Sequence, residues 1–462
     1  MSKMDALSLS YEDWVREMEA LGEKRFRADQ VCGWFYRRHV FEFQLMSDLS
    51  LELRNRLDGA FRVGLPKMLG MRASGRDGTK KFLFDFDGSS VESVAIWHPG
   101  RITACVSTQV GCPLGCPFCA TGQSGFERNM TVGEMVGQFL AMEARLGEIK
   151  NLVFMGMGEP MLNYHNLIGA IRNLNHPKMR GLGIRHITVS TSGIIPGILN
   201  LAREGLGVRL AVSLHAPNDE LRDQLVPINA QYPLKELKRA LMEYQEITGD
   251  RITIEYSLFD QVNDSVPMAR QLGEYLKGLS AFVNLIPGSC VGDQRFRPSP
   301  PFRVRAFGDL LTAMGYPVAM RQSKGSDVGG ACGQLRRQVS PGIQEASPQG
   351  GQRGGEQAPK APGPAGDSKP DRGPNKGGRR QASASKGEGG KASGGDSGGS
   401  RRGGHKKPAA GGRSAPEGNR PRGEGPGKRD RSGPGPAGRP RGPRGNGPRG
   451  KRPGGAGRNK GR

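Results

Sequence analysis

The sequence predicts an α/β fold, in which a partial barrel of six strand–helix units is preceded by a small helical domain and followed by a disordered basic tail. From residue 102 to about residue 321, short runs rich in β-branched residues alternate with stretches of helical period, which is typical of a parallel sheet. Polar motifs follow these strands directly, at the edge where the active sites of barrel folds lie. The final segment, residues 341–462, contains no Phe, Trp, Tyr, Leu, Val or Met.

Residues 1–75 are predicted to form a helical accessory domain. Apolar residues recur near helical spacing in two segments, Tyr11, Trp14 and Met18, then Val31, Trp34 and Phe35. Asp48 is the predicted N-cap of a third helix, LSLELRNRL. The same segment contains four arginines beside aromatic residues that look exposed; these arginines are Arg25, Arg27, Arg37 and Arg38. Two interpretations therefore stay open, a packing domain and an RNA-docking domain.

Residues 76–101 are predicted to be a β-hairpin linker. In KKFLFDFDGSSVESVAIW, apolar and polar residues alternate on both sides of Asp87-Gly88, which is a strong turn signal. Glu92 lies on the second strand of this hairpin. Taken alone, a glutamate on a strand is more often a solvated residue than a catalytic base.

Residues 102–340 are predicted to form the barrel. The predicted strands are ITACVSTQV, NLVFMGMG, RHITVSTSG, VRLAVSLHA, RITIEYSLF, AFVNLIP and a short final PVAMRQ. Helices are predicted around 131–145, 163–174, up to 203, 218–247, 265–278 and 303–314, the first opened by a capping box of Thr131 and Glu134. Because parallel strands end at one edge, we expect the cysteine loop, MGEP, STSG, SLHAP and IPGS to lie together.

The positive charge of the chain is concentrated in residues 341–462. That segment holds 28 Lys/Arg and nine Asp/Glu residues, whereas residues 1–340 hold 40 Lys/Arg and 35 Asp/Glu residues. A segment of this composition buries too little apolar surface to fold, so disorder is predicted. Two interpretations stay open: a solubilising tail, and a tether that binds nucleic-acid backbones without sequence preference through segments such as RPRG.

Cysteine content and the first residues bear on the cellular compartment. The seven cysteines are not spaced as a disulfide framework. The opening MSKMDALSLSYEDWVREMEA is charged and amphipathic, unlike a signal peptide, and no apolar run approaches the length of a membrane span. We expect a cytoplasmic protein with no membrane partner, where thiols stay reduced.

A metal site is predicted in residues 105–122, CVSTQVGCPLGCPFCATG, where Cys112, Cys116 and Cys119 lie within one short loop. One interpretation is a structural zinc site, for which Cys105 would supply the fourth ligand. The other is a 4Fe-4S cluster held by three thiolates, which leaves one iron open to a substrate or cofactor. No second Cys or His pair of zinc-ligand spacing is present in the chain.

The C-x-x-x-C-x-x-C spacing, with Phe118 before its last cysteine, resembles the radical S-adenosylmethionine (SAM) superfamily. From about residue 20 to residue 339 the chain also resembles the RlmN/Cfr adenosine methyltransferases of bacteria. That resemblance is carried by RADQV..WFY, VESVAI, ACVSTQVGCPLGCPFCATG, MGMGEP, STSG, SLHAPND, VNLIP and GGACGQL. The RlmN branch, which methylates carbon 2 of adenine, fits best, and the Cfr branch, which methylates carbon 8, is the alternative.

The resemblance implies a partial (β/α)6 radical SAM barrel, with one 4Fe-4S cluster on the three loop cysteines and a SAM on its open iron. Cys332 matches the cysteine that the family methylates with one SAM. A second SAM is cleaved to a 5′-deoxyadenosyl radical, which takes hydrogen from that methyl group so that it adds to the adenine carbon. Cys105 matches the cysteine that resolves the RNA–protein adduct by forming a disulfide with Cys332, and Glu92 matches the base that removes the ring proton.

The resemblance also implies which residues bind SAM. Gly158 and Glu159 match the pair that grips the methionine amino group, a role suited to a carboxylate. Ser190 matches a SAM-binding serine, and a further contact run is matched by Ser213, Leu214 and His215. Ser289 stands where the family usually has asparagine, so its shorter side chain is a departure from the pattern.

Partners follow from the same resemblance. The RNA partners are 23S rRNA, modified near the peptidyl transferase centre, and tRNA, modified at the adenosine 3′ of the anticodon. The third partner is an electron donor such as flavodoxin. A base methylated in this way must be unstacked into the barrel mouth. The alternative from a different class is a non-catalytic RNA-binding protein with a structural zinc site.

Overall fold

The computed structural model describes residues 3–289 and 295–335. The strands in these ranges are β1 (Met4–Asp5), β2 (Phe61–Arg62), β3 (Lys67–Ala73), β4 (Lys80–Phe86), β5 (Ser89–His98), β6 (Arg101–Cys105), β7 (Gln109–Gly111), β8 (Phe126–Asn129), β9 (Asn151–Phe154), β10 (Ile187–Thr191), β11 (Arg209–Ser213), β12 (Ile252–Leu258), β13 (Ala281–Pro287) and β14 (Val318–Met320). The predictions for the tail, 341–462, lie outside the described residues.

The α-helices of the described ranges alternate with these strands. They are α1 (Tyr11–Ala20), α2 (Phe26–Tyr36), α3 (Leu51–Ala60), α4 (Ala120–Gln123), α5 (Val132–Leu146), α6 (Tyr164–Asn175), α7 (Ile195–Arg203), α8 (Asp219–Leu225), α9 (Leu234–Thr248), α10 (Val266–Leu276) and α11 (Pro301–Ala313). None of them combines the length and apolarity needed to cross a lipid bilayer.

A ten-stranded sheet organises the chain, in the order β14-β13-β12-β11-β10-β9-β6-β5-β4-β3. Strands β6 and β9 to β14 are parallel, each next to its predecessor in that series, and helices connect them. This arrangement confirms the predicted α/β partial barrel. The predicted hairpin is also confirmed: β4 and β5 are antiparallel, and Asp87 and Gly88 take the positive φ angles that a tight hairpin turn requires.

The register places three polar residues side by side on neighbouring parallel strands. Ser213 on β11 is opposite Glu255 on β12, which is opposite Asn284 on β13. The Asn284 amide donates a hydrogen bond of 2.9 Å to the Glu255 carboxylate. Neighbouring strands therefore present these side chains at one height of the barrel.

One predicted strand is interrupted. The segment 102–110 was expected to be continuous, but β6 ends at Cys105, and β7 pairs with β8 in a separate two-stranded sheet. The chain leaves the main sheet because the backbone N–H groups of Thr108 and Gln109 both donate to the Met157 carbonyl. This break turns the following cysteine loop over the barrel mouth.

The N-terminal helices pack around buried aromatic rings. Trp14, Phe35 and Tyr36 are fully buried, whereas Phe26, whose ring the Arg27 guanidinium covers, is 49% exposed. The Asp48 cap is wrong: the Ser50 hydroxyl accepts the Leu53 N–H at the start of α3. Asp48 instead accepts a 2.6 Å hydrogen bond from the Trp34 indole. The burial supports a packing role, and RNA docking by this domain stays a prediction.

Candidate functional site

A cavity opens at the carboxyl ends of the parallel strands. It encloses about 1080 Å³ of empty space, including the solvent at its mouth. Its lining combines the cysteine loop with residues from the ends of β9 to β13 and with Cys332. The predicted meeting of the cysteine loop, MGEP, STSG, SLHAP and IPGS is therefore confirmed. Glu92, Cys105 and Leu214 are not among the described residues that line it.

The three loop cysteines, Cys112, Cys116 and Cys119, line one part of this cavity. Gly111 makes their loop possible, since it has a φ of +79° and a Cβ there would lie 1.9 Å from the Gly125 carbonyl oxygen. Burial raises the pKa of the Cys112 thiol to about 12 and also raises that of Cys116. A positively charged centre is therefore needed to hold these sulfurs as thiolates.

The donor set fits an iron–sulfur cluster better than a single zinc ion. Within residues 3–289 and 295–335, no three His, Cys, Asp or Glu side chains are grouped to hold a metal ion. Cys105, the fourth zinc ligand considered from the sequence, lies at the end of β6 and outside the cavity lining. Three thiols beside an open cavity suit a larger sulfur-bridged centre with one exposed position.

Glu159 is held rigidly at the cavity wall. Its carboxylate accepts backbone hydrogen bonds from Ser192 (2.8 Å) and Met161 (3.1 Å), and its own N–H donates to Gln109 (2.8 Å). Burial raises the pKa of this carboxyl group. Each oxygen retains acceptor capacity, so the carboxylate can still bind a cationic amino group in the cavity.

Gly158 sets the position of Glu159, and its replacement by alanine is expected to destabilise the protein by about 2 kcal/mol or more. Gly158 has a φ of +99°, and a Cβ there would lie 2.5 Å from the Gln109 Cβ. The matched control is Gly59→Ala, because Gly59 lies on α3 with open space around its Cβ position. Urea unfolding measures the stability of both variants. Equal stability of Gly158→Ala and the natural chain would contradict the expected strain.

His215 is neutral and its tautomer is fixed by the backbone. The Ser257 N–H donates a 3.0 Å hydrogen bond to His215 Nδ1, so the proton of the neutral ring is on Nε2. Burial and the nearby positive charge of Arg222 lower the pKa of His215 to about 3. Its ring meets Phe118 edge to face at 5.1 Å between centroids. His215 thus presents an uncharged N–H at the site at neutral pH.

The other predicted cofactor contacts differ in their exposure to the cavity. Ser190 and Ser213 line it with hydroxyl oxygens 3.4 Å apart, and Ser289 also lines it. The Leu214 side chain is fully buried away from the cavity, and its carbonyl accepts a hydrogen bond from Arg222. Any ligand contact by Leu214 must therefore come from its backbone.

Cys332 is exposed at the cavity, on the segment that follows β14. Two hydrogen bonds fasten this segment to the cysteine loop, from Ala120 N–H to the Gly333 carbonyl (2.7 Å) and from the Thr121 hydroxyl to the Leu335 carbonyl (2.9 Å). Partial desolvation of the sulfur by the surrounding cavity walls and the negative charge of Glu255 raise the pKa of the Cys332 thiol to about 11. Cys332 is thus a protonated thiol that lines the same space as the three loop cysteines.

Cys105 and Glu92 lie behind the cavity, on adjacent strands. Cys105 is opposite Val94 in the register of β5 and β6, two residues from Glu92. Burial raises the pKa of Cys105, and the neighbouring Cys332 raises it further. Both cysteines are free thiols, so the structure contains no disulfide between them. The structure therefore does not support the disulfide expected from the resemblance.

Glu92 is not the solvated strand residue that its sequence context alone suggested. It is completely buried and accepts a 2.7 Å hydrogen bond from the Lys81 ammonium group, which is itself almost fully buried. Lys81 is on β4, the other strand of the hairpin. Sequence inspection missed Lys81 because nothing local distinguishes it from Lys80.

Two further buried charged residues were missed. Glu255 lines the cavity, and burial raises its pKa. Its only sequence signal is a lone carboxylate within the apolar run RITIEYSLF. Arg222, which is fully buried on α8, donates to the carbonyls of Ser192 and Leu214 and so fixes the ends of β10 and β11. Its sequence context is that of an ordinary surface helix.

Comparisons with known proteins agree with this architecture. The family model described as "Radical SAM superfamily" matches residues 106–271, and that described as "Ribosomal RNA large subunit methyltransferase N-terminal domain" matches residues 5–63. A protein of Thermosipho melanesiensis named "Probable dual-specificity RNA methyltransferase RlmN" is 50% identical, over 72% of this chain and 98% of its own length. The chain belongs to the RlmN family of radical SAM enzymes.

Other RlmN relatives and a solved structure extend this result. The identically named protein of Thermotoga neapolitana is 52% identical, over 72% of this chain and 98% of its own length. A crystal structure of a radical SAM methyltransferase from Sphaerobacter thermophilus is similar with a TM-score of 0.70 and 42% identity, covering 72% of this chain and all of that one. RlmN membership is membership of an enzyme family, so the alternative of a non-catalytic zinc protein is set aside.

Proposed function

We propose that this chain is a radical SAM methyltransferase that methylates carbon 2 of an adenosine in 23S rRNA and of the adenosine 3′ of the anticodon in tRNA. The observation that carries the proposal is the position of Cys332, an exposed thiol in the same cavity as the three loop cysteines and Glu159. The RlmN relatives named as dual-specificity RNA methyltransferases support two RNA classes.

The cavity residues, together with the backbone of Leu214, divide into two sets under this proposal. Cys112, Cys116 and Cys119 hold a 4Fe-4S cluster, and the SAM site is formed by Gly158, Glu159, Ser190, Ser213, Leu214, His215 and Ser289. Together the bound groups supply one-electron chemistry, which an adenine ring carbon requires because it is not a nucleophile. Glu159 pairs with the amino group of SAM, and the neutral His215 donates its Nε2 proton.

Three residues act on the RNA in this proposal. Cys332 carries the methyl group to the adenine carbon, for which its exposure in the cavity suits it. Glu92 accepts the ring proton in this proposal, and its 2.7 Å contact with the buried Lys81 ammonium group fixes the position of its carboxylate. Cys105, whose pKa is raised by burial and by the neighbouring Cys332, is the thiol that releases the RNA from that cysteine.

Methylation of purified 23S rRNA and tRNA, with an electron donor such as flavodoxin, tests the proposal. Nuclease digestion and mass spectrometry are expected to find 2-methyladenosine in both RNAs. Only 8-methyladenosine would show the Cfr-type reaction instead, and product in one RNA alone would remove the other from the proposal.

Cys332→Ala is expected to abolish methylation of both RNAs while SAM binding persists, because it removes the sulfur that carries the methyl group and leaves the proposed SAM contacts in place. Cys32→Ala is the matched control, since Cys32 is buried on α2 and does not line the cavity. Full methylation by the Cys332 variant would contradict its role as methyl carrier.

A further inference from the structure

Glu255 is a buried carboxylate of the cavity wall to which the proposed function gives no role. Glu159 and Glu255 are the two carboxylates among the described residues that line the cavity. Both oxygens of Glu159 already accept backbone N–H groups, from Met161 and Ser192, and Glu159 is the proposed partner of the SAM amino group. Glu255 is only 7% exposed. The cavity therefore holds a second enclosed acceptor, whose ligand is still to be identified.

The two oxygens of Glu255 differ in their surroundings. Oε1 accepts a 2.9 Å hydrogen bond from the side-chain amide of Asn284 on β13. Oε2 accepts no hydrogen bond from any group in residues 3–289 and 295–335. It is not one of the atoms sealed in the interior without a partner, so it opens into the cavity that Glu255 lines. Asn284 thus fixes the carboxylate and leaves its second oxygen facing the cavity.

An acceptor in this position is unfavourable without a ligand. Burial raises the pKa of Glu255, whereas the hydrogen bond from Asn284 and the positive charge of Arg321 lower it. A carboxylate oxygen that has lost most of its water needs a donor to replace it. A ligand that presents an N–H or O–H group to Oε2 supplies that hydrogen bond.

Glu255 lies deeper in the barrel than the cysteine loop. The loop packs near the carboxyl end of β12 through Phe118, whose ring centroid is 5.2 Å from that of Phe259. Glu255 precedes Phe259 by four residues, which corresponds to about 13 Å along an extended strand. The carboxylate therefore faces the part of the cavity that lies below the cysteine loop.

The chain that leads to Cys332 runs beside the strand next to β12. The Arg321 N–H donates a 2.8 Å hydrogen bond to the carbonyl of Leu285 on β13, and β13 pairs with β12 over seven residues. Cys332 and Glu255 line the same cavity. A base that reaches the Cys332 sulfur therefore enters the space that the Glu255 carboxylate faces.

Adenine offers the donor that this acceptor lacks. The exocyclic amino group of adenine is its one hydrogen-bond donor, because the unsubstituted ring nitrogens are acceptors. A carboxylate accepts and cannot donate, whereas the hydroxyl groups of Ser190 and Ser213 in the same cavity can do either. Guanine would place its O6 acceptor where adenine has the amino group, and O6 and the carboxylate would repel each other. An acceptor-only oxygen therefore favours adenine.

We propose that Glu255 recognises the target adenine by accepting a hydrogen bond from its exocyclic amino group, with Asn284 as the residue that positions the carboxylate. This rests on the proposed function. An enzyme that acts on an unstacked base distinguishes it through contacts to its exocyclic groups. Glu255 holds the adenine ring in place while Cys332 and Glu92 act on carbon 2.

The experiment removes the two partners of this hydrogen bond separately and together. The substrates are tRNAs with adenosine or purine riboside, which lacks the amino group, at the target position. The full-length natural chain and Glu255→Gln methylate both, and mass spectrometry of the methylated nucleoside gives kcat/KM. The matched control is Glu246→Gln, because Glu246 is exposed on α9 and does not line the cavity. Thermal unfolding verifies that the variants fold.

We expect the natural chain to prefer adenosine to purine riboside by about tenfold to a hundredfold, the value of one hydrogen bond to a charged acceptor. Glu255→Gln is expected to lose a similar factor with adenosine and to show no preference. In that variant the Asn284 amide holds the new amide oxygen, so an N–H group faces the cavity instead. The SAM dissociation constant, methylation of Cys332 before RNA is added, and the control are expected to stay at natural values.

Asn284→Leu keeps the Glu255 carboxylate but removes the group that orients it. We expect its preference for adenosine to fall between that of the natural chain and that of Glu255→Gln. An unchanged preference in Asn284→Leu would remove the positioning role of Asn284.

Equal kcat/KM of the natural chain for the two tRNAs would overturn the proposal without any variant. The natural preference in a folded Glu255→Gln variant would also overturn it. If that variant kept the preference but bound SAM more weakly or left Cys332 unmethylated, Glu255 would belong to the cofactor or to the thiol instead. Failure of the natural chain to methylate adenosine in any RNA is a different result, which defeats the proposed function itself.

Discussion

Replacing Cys116 with alanine is expected to remove iron and sulfide from the protein and to leave no measurable methylation. Cys116 is buried in the cysteine loop and lines the cavity with Cys112 and Cys119. With one of three thiolates missing, a 4Fe-4S cluster loses a protein ligand that the described cavity cannot replace, because Cys105 lies outside its lining. Iron and sulfide analysis after anaerobic reconstitution, with methylation assayed in parallel, measures the effect.

The control for this experiment is Cys32→Ala. Cys32 is also completely buried, but it lies on α2 away from the cavity. It is expected to keep the metal content and the activity of the natural chain, with a modest loss of stability from the missing sulfur atom. Full iron content and activity in Cys116→Ala would contradict the assignment of the cysteine loop as the cluster site.

Breaking the buried ion pair between Lys81 and Glu92 is expected to lower the free energy of unfolding by about 3–5 kcal/mol. The two side chains are 6% and 0% exposed and lie 2.7 Å apart, so removing either one removes a short charged contact in an interior site. Glu92→Gln and Lys81→Met are the single variants. The double variant is expected to lose less than the sum of the two, since the interaction is removed only once. Urea unfolding of all three measures the coupling.

Measurements of methylation activity separate the proposed chemical role of Glu92 from its role in stability. Glu92→Gln is expected to lose methylation even at temperatures where it is fully folded, because an amide cannot accept the ring proton. Lys81→Arg keeps a positive charge beside Glu92 and is expected to keep more activity than Lys81→Met. A folded Glu92→Gln variant with natural methylation rates would rule out the base assignment, and additive stabilities would rule out the coupling.

Local sequence patterns were sufficient to predict a structural feature where one short segment determines that feature. The alternation of strands and helices, the Asp87-Gly88 turn and the capping box at Thr131 each depend on neighbours in sequence, and each is found in the structure. The α3 cap was assigned to Asp48 instead of Ser50 because a cap depends on where the helix begins, which packing decides within one turn.

Long-range contacts were beyond local patterns. The burial of Glu92 depends on what covers β5, and its partner Lys81 is eleven positions away on another strand. The Lys324 ammonium group donates a hydrogen bond to the Trp97 carbonyl, 227 positions away along the chain. The residues next to a charged or thiol side chain in sequence do not show whether that side chain is solvated or buried. Its burial and its partners are set only when distant strands and helices pack against it.

The sequence by itself determined the α/β architecture, the cysteine loop and, through its motifs, the family. Only the tertiary structure decided that Cys105 stays outside the cavity, that Cys332 faces into it and that Lys81 pairs with Glu92. The physical reason is that periodicity and turn chemistry act between neighbours along the chain, whereas the environment of a charged or sulfur-containing side chain is set by segments that meet only after folding.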